Sequence, residues 1–138
     1  MPYVAPDEGL NRTIIDLAEL RAELGPPPWR VPVVGTPNVR FVYLGWKPGF
    51  ATVPHVHPRA DETFHVLVGR AVFRVGSRPG EGTEVEAGPG SLLRSPAGRW
   101  HDIRVTGDED FYMLIAVTPN EDAPDETTEP PGWAAVPA

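Results

Sequence analysis

The sequence predicts an all-β domain, a double-sheet jelly roll or barrel, with one short N-terminal helix and an extended acidic C-terminal tail. Three observations carry this. Proline accounts for 18 of 138 residues, far above the average of ~5%, and disfavours long helices. Between Trp29 and Val117 short strand-like runs alternate with turns built on Gly, Pro and Asp. No helical segments intervene between those runs, and such spacing points to a sandwich or barrel. The length suits a single core, and no internal repeat is present.

Residues 1–28 read as an N-terminal arm carrying a helix over residues 13–24. Thr13 is placed to cap it, with Asp16 three residues later completing a capping-box-like pair. Leu10, Ile14, Leu17, Leu20 and Leu24 recur at near-helical spacing. Gly25 and the prolines at 26–28 stop the helix. The barrel spans residues 29–118. Its expected strands are Arg30–Val34, Val39–Trp46, Thr52–His57, Thr63–Val68, Ala71–Val75, Thr83–Glu86, Ser91–Arg94, His101–Val105 and Phe111–Val117. Pro32 confines the first to a sheet edge. Turns fall at Lys47-Pro48-Gly49, Gly69, Arg78-Pro79-Gly80, Gly88-Pro89-Gly90, Pro96-Ala97-Gly98 and Gly107-Asp108. Residues 119–138 form an acidic, proline-rich tail with no Lys or Arg, expected to be extended or disordered. Trp133 within it would dock or stay loose with equal weight.

The formal net charge is −7 and the sequence pI is about 5.0. A negative field repels phosphate backbones, which argues against nucleic-acid partners. No run approaches the ~18 apolar residues of a membrane span, and the start of the chain lacks a secretory pattern. A cytoplasmic location is therefore expected. With zero cysteines there is neither a disulfide framework nor a thiolate, so any metal must be held by nitrogen and oxygen.

Two of the four histidines are His55 and His57. Residues i and i+2 of a strand share a face, so both imidazoles can converge on one ion. Pro54 and Pro58 bracket the pair, and Glu62 opens the next apolar run, adding a hard carboxylate to two nitrogen donors. The surrounding glycines sharpen the pattern. Five residues separate Gly49 from His55, one separates His55 from His57, four separate His57 from Glu62, and six separate Glu62 from Gly69. Further on, Gly90, Pro96, Gly98 and His101 follow with gaps of five, one and two residues.

Over residues 38–117 these two blocks resemble the two motifs of the cupin superfamily. The one departure is Val105, where the second motif usually ends in Asn. The resemblance implies a double-stranded β-helix with His55, His57, Glu62 and His101 as ligands of one divalent transition ion. Three imidazoles and a carboxylate suit Fe, Mn, Ni, Co, Cu or Zn and leave coordination positions open. It also implies a homodimer.

Alternation places Phe64, Val66 and Val68 on the face of Glu62, and Ile103 and Val105 on that of His101. Of these, Val66 and Val68 read as core, while Phe64, Ile103 and Val105 are candidate substrate contacts. The register of Val39–Trp46 is open, so either Arg40 or Tyr43 reaches the cavity. Arg40 is a candidate substrate contact, and Tyr43 and His65 are candidate bases. His65 falls opposite Glu62, on the outside or at a subunit contact, unless a bulge turns it inward. Trp100, Phe111 and Met113 read as core. The glycine-rich loop 76–82 lacks a Lys-Ser/Thr pair and reads as a turn.

Cupins differ widely in reaction, and fold does not choose among them. A mostly apolar pocket suits a small substrate. The leading expectation is a metal-dependent dioxygenase-type oxidoreductase on an aromatic, flavonoid-like or diketone substrate. A non-redox isomerase, cyclase or lyase is the alternative, and a non-catalytic metal-dependent ligand-binding protein is the third reading.

Overall fold

Prolines, turn glycines and period-two hydrophobicity leave the chain one efficient way to bury its apolar faces: two sheets closed on each other. The computed structural model describes residues 9–121 and 125–126. Its elements are α1 (Leu17–Leu24), β1 (Trp29–Gly35), β2 (Arg40–Trp46), β3 (His55–Val56), β4 (Asp61–Val68) and β5 (Arg70–Gly76). They continue with β6 (Thr83–Ala87), β7 (Leu92–Ser95), β8 (Trp100–Thr106), β9 (Phe111–Thr118) and β10 (Asp125–Glu126). One sheet has the order β1-β2-β9-β4-β7 and the other β10-β3-β8-β5-β6. All pairings are antiparallel. The chain crosses repeatedly between sheets, which makes a jelly roll.

Each expected strand forms, with ends moved by a few residues, except one that contracts. Thr52–His57 keeps ladder pairing only at His55–Val56. Pro54 has no N–H to donate, and Thr52 bonds instead through its backbone to Ile103 O (2.9 Å) and accepts Ile103 N–H at Oγ1 (3.0 Å). β1 is an edge strand, as Pro32 requires. Its outer carbonyls are not left bare: Leu10 N–H donates to Pro32 O and Asn11 N–H to Val33 O.

The helix is shorter than expected. It begins at Leu17, and Asp16 is its N-cap rather than an internal partner of Thr13, accepting from Glu19 N–H at 3.0 Å. The aspartate captures an orphan first-turn donor and fixes the start there. Ile14 consequently lies outside the helix, 82% exposed. Leu20 and Leu24 pack with Val33, Tyr43, Trp29 and Leu114 on the outer face of the first sheet.

Between the sheets, alternate residues of β4 and β9 point inward. Phe64, Val66, Phe111, Met113, Ile115 and Val117 pack with Phe73, Ile103 and Val105. Phe111 and Met113 are core, as expected. Trp100 is only half-buried and joins neither apolar cluster, and Val68 is half-buried where the β4 register shifts. The loop at 76–82 is a turn lying over Arg74, whose guanidinium forms a buried ion pair with Asp102.

Gly69 links β4 to β5 at φ 84°, and a Cβ there would meet Asp110 O at 2.8 Å. Both the left-handed backbone and the close approach demand glycine. Part of the tail is ordered against the barrel, since Asp125–Glu126 pairs with β3. Trp133 lies outside the described residues.

Phe111→Ala should cost about 3–5 kcal/mol, because it opens a cavity in a packed core. Leu92→Ala, on a side chain 70% exposed, should stay within about 0.5 kcal/mol. Urea denaturation of both variants checks the contrast.

Candidate metal centre

β3 and β8 lie side by side, with His55 directly opposite His101. Their ring centroids are 4.1 Å apart. His57 follows two residues after His55 on the same face, and its carbonyl accepts Gly98 N–H at 2.9 Å. Gly98 sits at φ 81°, a turn conformation that suits glycine and brings the loop before β8 onto β3. Glu62 comes from β4 in the opposite sheet. The cluster therefore ties the two sheets together at one point.

One donor atom from each of His55, His57, Glu62 and His101 lies within 4.8 Å of all the others. Glu62 Oε2 is 2.6 Å from His57 Nε2 and 3.2 Å from His101 Nε2. Glu62 Oε2 and His101 Nε2 are buried yet have no hydrogen-bond partner, a costly arrangement unless something else satisfies them. A divalent cation does so, and the nitrogen and oxygen donor set fits one. The four residues expected from the sequence are thus the four that the fold brings together.

Neighbouring groups set the ring orientations. His55 Nδ1 lies 3.0 Å from Val53 O, which can only accept, so Nδ1 carries the proton and Nε2 a free lone pair. Ser95 Oγ is 3.0 Å from His101 Nδ1 and donates to Arg99 O, leaving its lone pair to accept from Nδ1. Both arrangements direct unprotonated Nε2 atoms inward, as metal-binding histidines require. Burial pushes the His55 imidazole down to about 3, helped by His101 and opposed by Glu62. Burial pushes Glu62 up, but His101 and His57 beside it prevail and hold it well below the ordinary range. A neutral imidazole and an ionised carboxylate are the protonation states that bind metal.

The cluster forms part of the wall of a cavity of about 250 Å³, just below the ~300 Å³ at the lower end of typical ligand pockets. Phe64 and Ile103 line it, as expected, and Phe64 also packs edge-on against the His101 ring. The open register of β2 resolves in favour of Arg40, which with Val42 and Trp46 faces inward. Arg40 Nη1 donates to Asn120 Oδ1 (3.0 Å) and Glu121 O (2.9 Å).

Three expectations need correction. Tyr43 points to the other side of β2, among Leu20, Val33 and Trp29, and burial pushes its hydroxyl pKa up. His65 stands half-buried on the outer side of β4, because the bulge in that strand comes only after Val66. Neither is placed to act as a base in the cavity. Val105 is core rather than a cavity contact, lying one alternation deeper than Ile103 and paired with Ala71.

Arg30, Ser95 and Glu126 are among the cavity or cluster residues that escaped the sequence reading. Arg30 shares the inward face of β1 with Pro32, a placement that needs the β1–β2 register. Ser95 touches His101 only because β7 pairs with β4 beside Glu62. Glu126 reaches the cavity through the β10–β3 pairing, in a segment whose composition suggests no strand.

The family described as the cupin domain matches residues 42–117. No curated protein matches the chain. Among solved structures, an uncharacterised conserved protein with a double-stranded β-helix domain from Klebsiella pneumoniae is 24% identical, with a TM-score of 0.70. That alignment covers 91% of this chain and 100% of the other. A Bacillus halodurans protein is 19% identical with a TM-score of 0.70, covering 89% and 94%. A protein described as a predicted oxalate decarboxylase from Thermotoga maritima is 21% identical with a TM-score of 0.59, covering 65% and 78%. At these identities the structural likenesses establish the fold. Among the described residues, no helix is long and apolar enough to cross a membrane.

Removing the hydroxyl that orients His101, in Ser95→Ala, should weaken divalent-metal affinity by roughly 10- to 100-fold. Competition titration against a chromophoric chelator measures it, with an unchanged thermal melt of the metal-free protein as control.

Proposed function

The chain belongs to the cupin family, and from that premise we propose that it is a metal-dependent oxidoreductase of dioxygenase type acting on a small organic molecule. One observation carries the reading. Outside His55, His57 and Glu62, the cavity is lined by apolar side chains, two arginines, Thr52 and the exposed Glu126. Such a wall binds and orients but offers little proton transfer, so the reactive chemistry falls to the His and Glu cluster.

His55, His57, Glu62 and His101 would hold the ion. A redox-active divalent ion held there supplies Lewis acidity towards substrate oxygens and a means of activating O₂. The remaining work belongs to the protein. Phe64, Ile103 and Ile115 hold the apolar body of the substrate and keep water from the inner end of the cavity. Val53 and Ser95 fix the two imidazoles, so the site needs little rearrangement when substrate arrives. The small volume favours a compact aromatic or diketone compound over a flavonoid-sized one.

A non-redox isomerase or lyase is the second reading, and Glu126 is the observation that keeps it. With Tyr43 and His65 outside the cavity, Glu126 is the carboxylate beyond the cluster that could move a proton there.

Oxygen-electrode screening of small aromatic and diketone compounds against metal-reconstituted protein separates the two. The proposal expects O₂ uptake in step with product, and turnover that stops under anaerobic conditions. Equal rates with and without O₂, abolished by Glu126→Gln, would establish the non-redox reading instead.

A further inference from the structure

The cavity holds a charge arrangement that the cluster does not need. Arg30 on β1 and Arg40 on β2 both line it, on the same sheet as Glu62. Arg40 and Glu62 flank a single residue, Val117 of β9, each paired with it from opposite sides. Their backbones are therefore about 10 Å apart, two interstrand spacings, and both side chains turn to the interior. Arg30 is half-buried, and among the described residues its Nε has no hydrogen-bond partner.

Two guanidiniums facing one small cavity repel each other, and partial burial removes the water that would screen them. Burial first, and then Arg40, pushes the Arg30 pKa down, while Glu62 pulls it up. Glu62 Oε2 lies against the imidazoles of His57 and His101, and Arg40 already donates to Asn120 Oδ1 and Glu121 O. Glu126, the other carboxylate lining the cavity, is exposed and lies on the opposite sheet, beside His55. A planar anion entering from solvent matches the fork of an arginine far better than a lysine would.

We infer that Arg30, with Arg40 beside it, forms an anion subsite in the cavity, and that the substrate is a compact organic acid. Its carboxylate seats on Arg30, and its apolar body lies along Phe64, Ile103 and Ile115. The group that reacts is then carried to the His and Glu cluster. This rests on the reading of the cavity as the substrate site of a metal enzyme, and it replaces an unspecified aromatic or diketone compound by one bearing a carboxylate. Glu126 opposes a second anionic group at the far wall, so monocarboxylates are preferred over dicarboxylates of similar size.

Benzoate and benzamide have nearly the same shape and differ in charge, which makes them suitable probes. Isothermal titration of each into zinc-loaded wild-type protein should show benzoate binding at least about tenfold tighter, as expected for a charge-assisted bidentate contact. Arg30→Gln should erase that preference at unchanged metal content, and Arg30→Lys should keep part of it. His101→Ala, which impairs the ion site, should retain the preference. Equal binding of the two probes by wild-type protein, or no binding of benzoate, would overturn the subsite while leaving the metal reading intact. A preference that survives Arg30→Gln but vanishes in His101→Ala would overturn it too, assigning the carboxylate to the ion. Wild-type protein that binds no metal but still prefers benzoate would sink the enzyme reading and keep the subsite.

Discussion

The organisation of this domain turns on one buried contact, the approach of the Glu62 carboxylate on one sheet to the imidazoles of His57 and His101 on the other. Four metal-ligating groups meet where water is excluded, and by hydrogen-bond geometry Glu62 Oε2 and His101 Nε2 stay unsatisfied. With neutral imidazoles the cluster carries a net negative charge in a low-dielectric interior, which is unfavourable without a compensating cation. A divalent ion held by these four residues would remove that penalty. The same burial that makes the cluster costly when empty keeps His55 neutral and leaves it ready to bind.

Everything around the cluster follows from making that convergence rigid. Pro54 breaks the regular ladder of β3, so only His55 and Val56 pair, and His57 turns from the end of the strand towards Glu62. Gly98 brings the loop before β8 against His57. Val53 and Ser95 hold the outer nitrogens of His55 and His101. The cavity then forms beside the cluster because inward residues of β1 and β2, Arg30, Arg40 and Val42, are set back from it. Apolar packing of Phe64 and Ile103 closes the inner side.

Much of this was legible in the amino-acid order, and the reason is local. Ligands set at the starts of β3, β4 and β8, each beside a turn fixed by glycine or proline, leave their spacing in the sequence, so His55, His57, Glu62 and His101 stand out beside Gly49, Gly69, Gly90 and Gly98. Strand edges, the interior positions of β9 and the edge position of β1 are likewise local consequences of alternation and proline. Long-range register is different. Whether Arg40 or Tyr43 faced inward depended on the register of β2 against β9, and Arg30 entered the cavity only through pairing with β2. Ser95 became a neighbour of His101 through a strand pairing 33 residues away in Glu62. Glu126 did so through a two-residue strand in a segment with no strand signature. The helix starts later than the leucine periodicity suggests because Asp16, rather than Thr13, caps its first turn by accepting Glu19 N–H.

The most direct measurement is the metal content of untagged protein purified without chelator, by elemental mass spectrometry, beside His55→Ala and His101→Ala. One transition ion per chain in the wild type, lost in both variants, is the predicted result. Wild-type protein that stays metal-free after reconstitution with iron, manganese, nickel, cobalt, copper and zinc in turn would contradict the account, because the buried cluster would then persist without the cation that its chemistry demands.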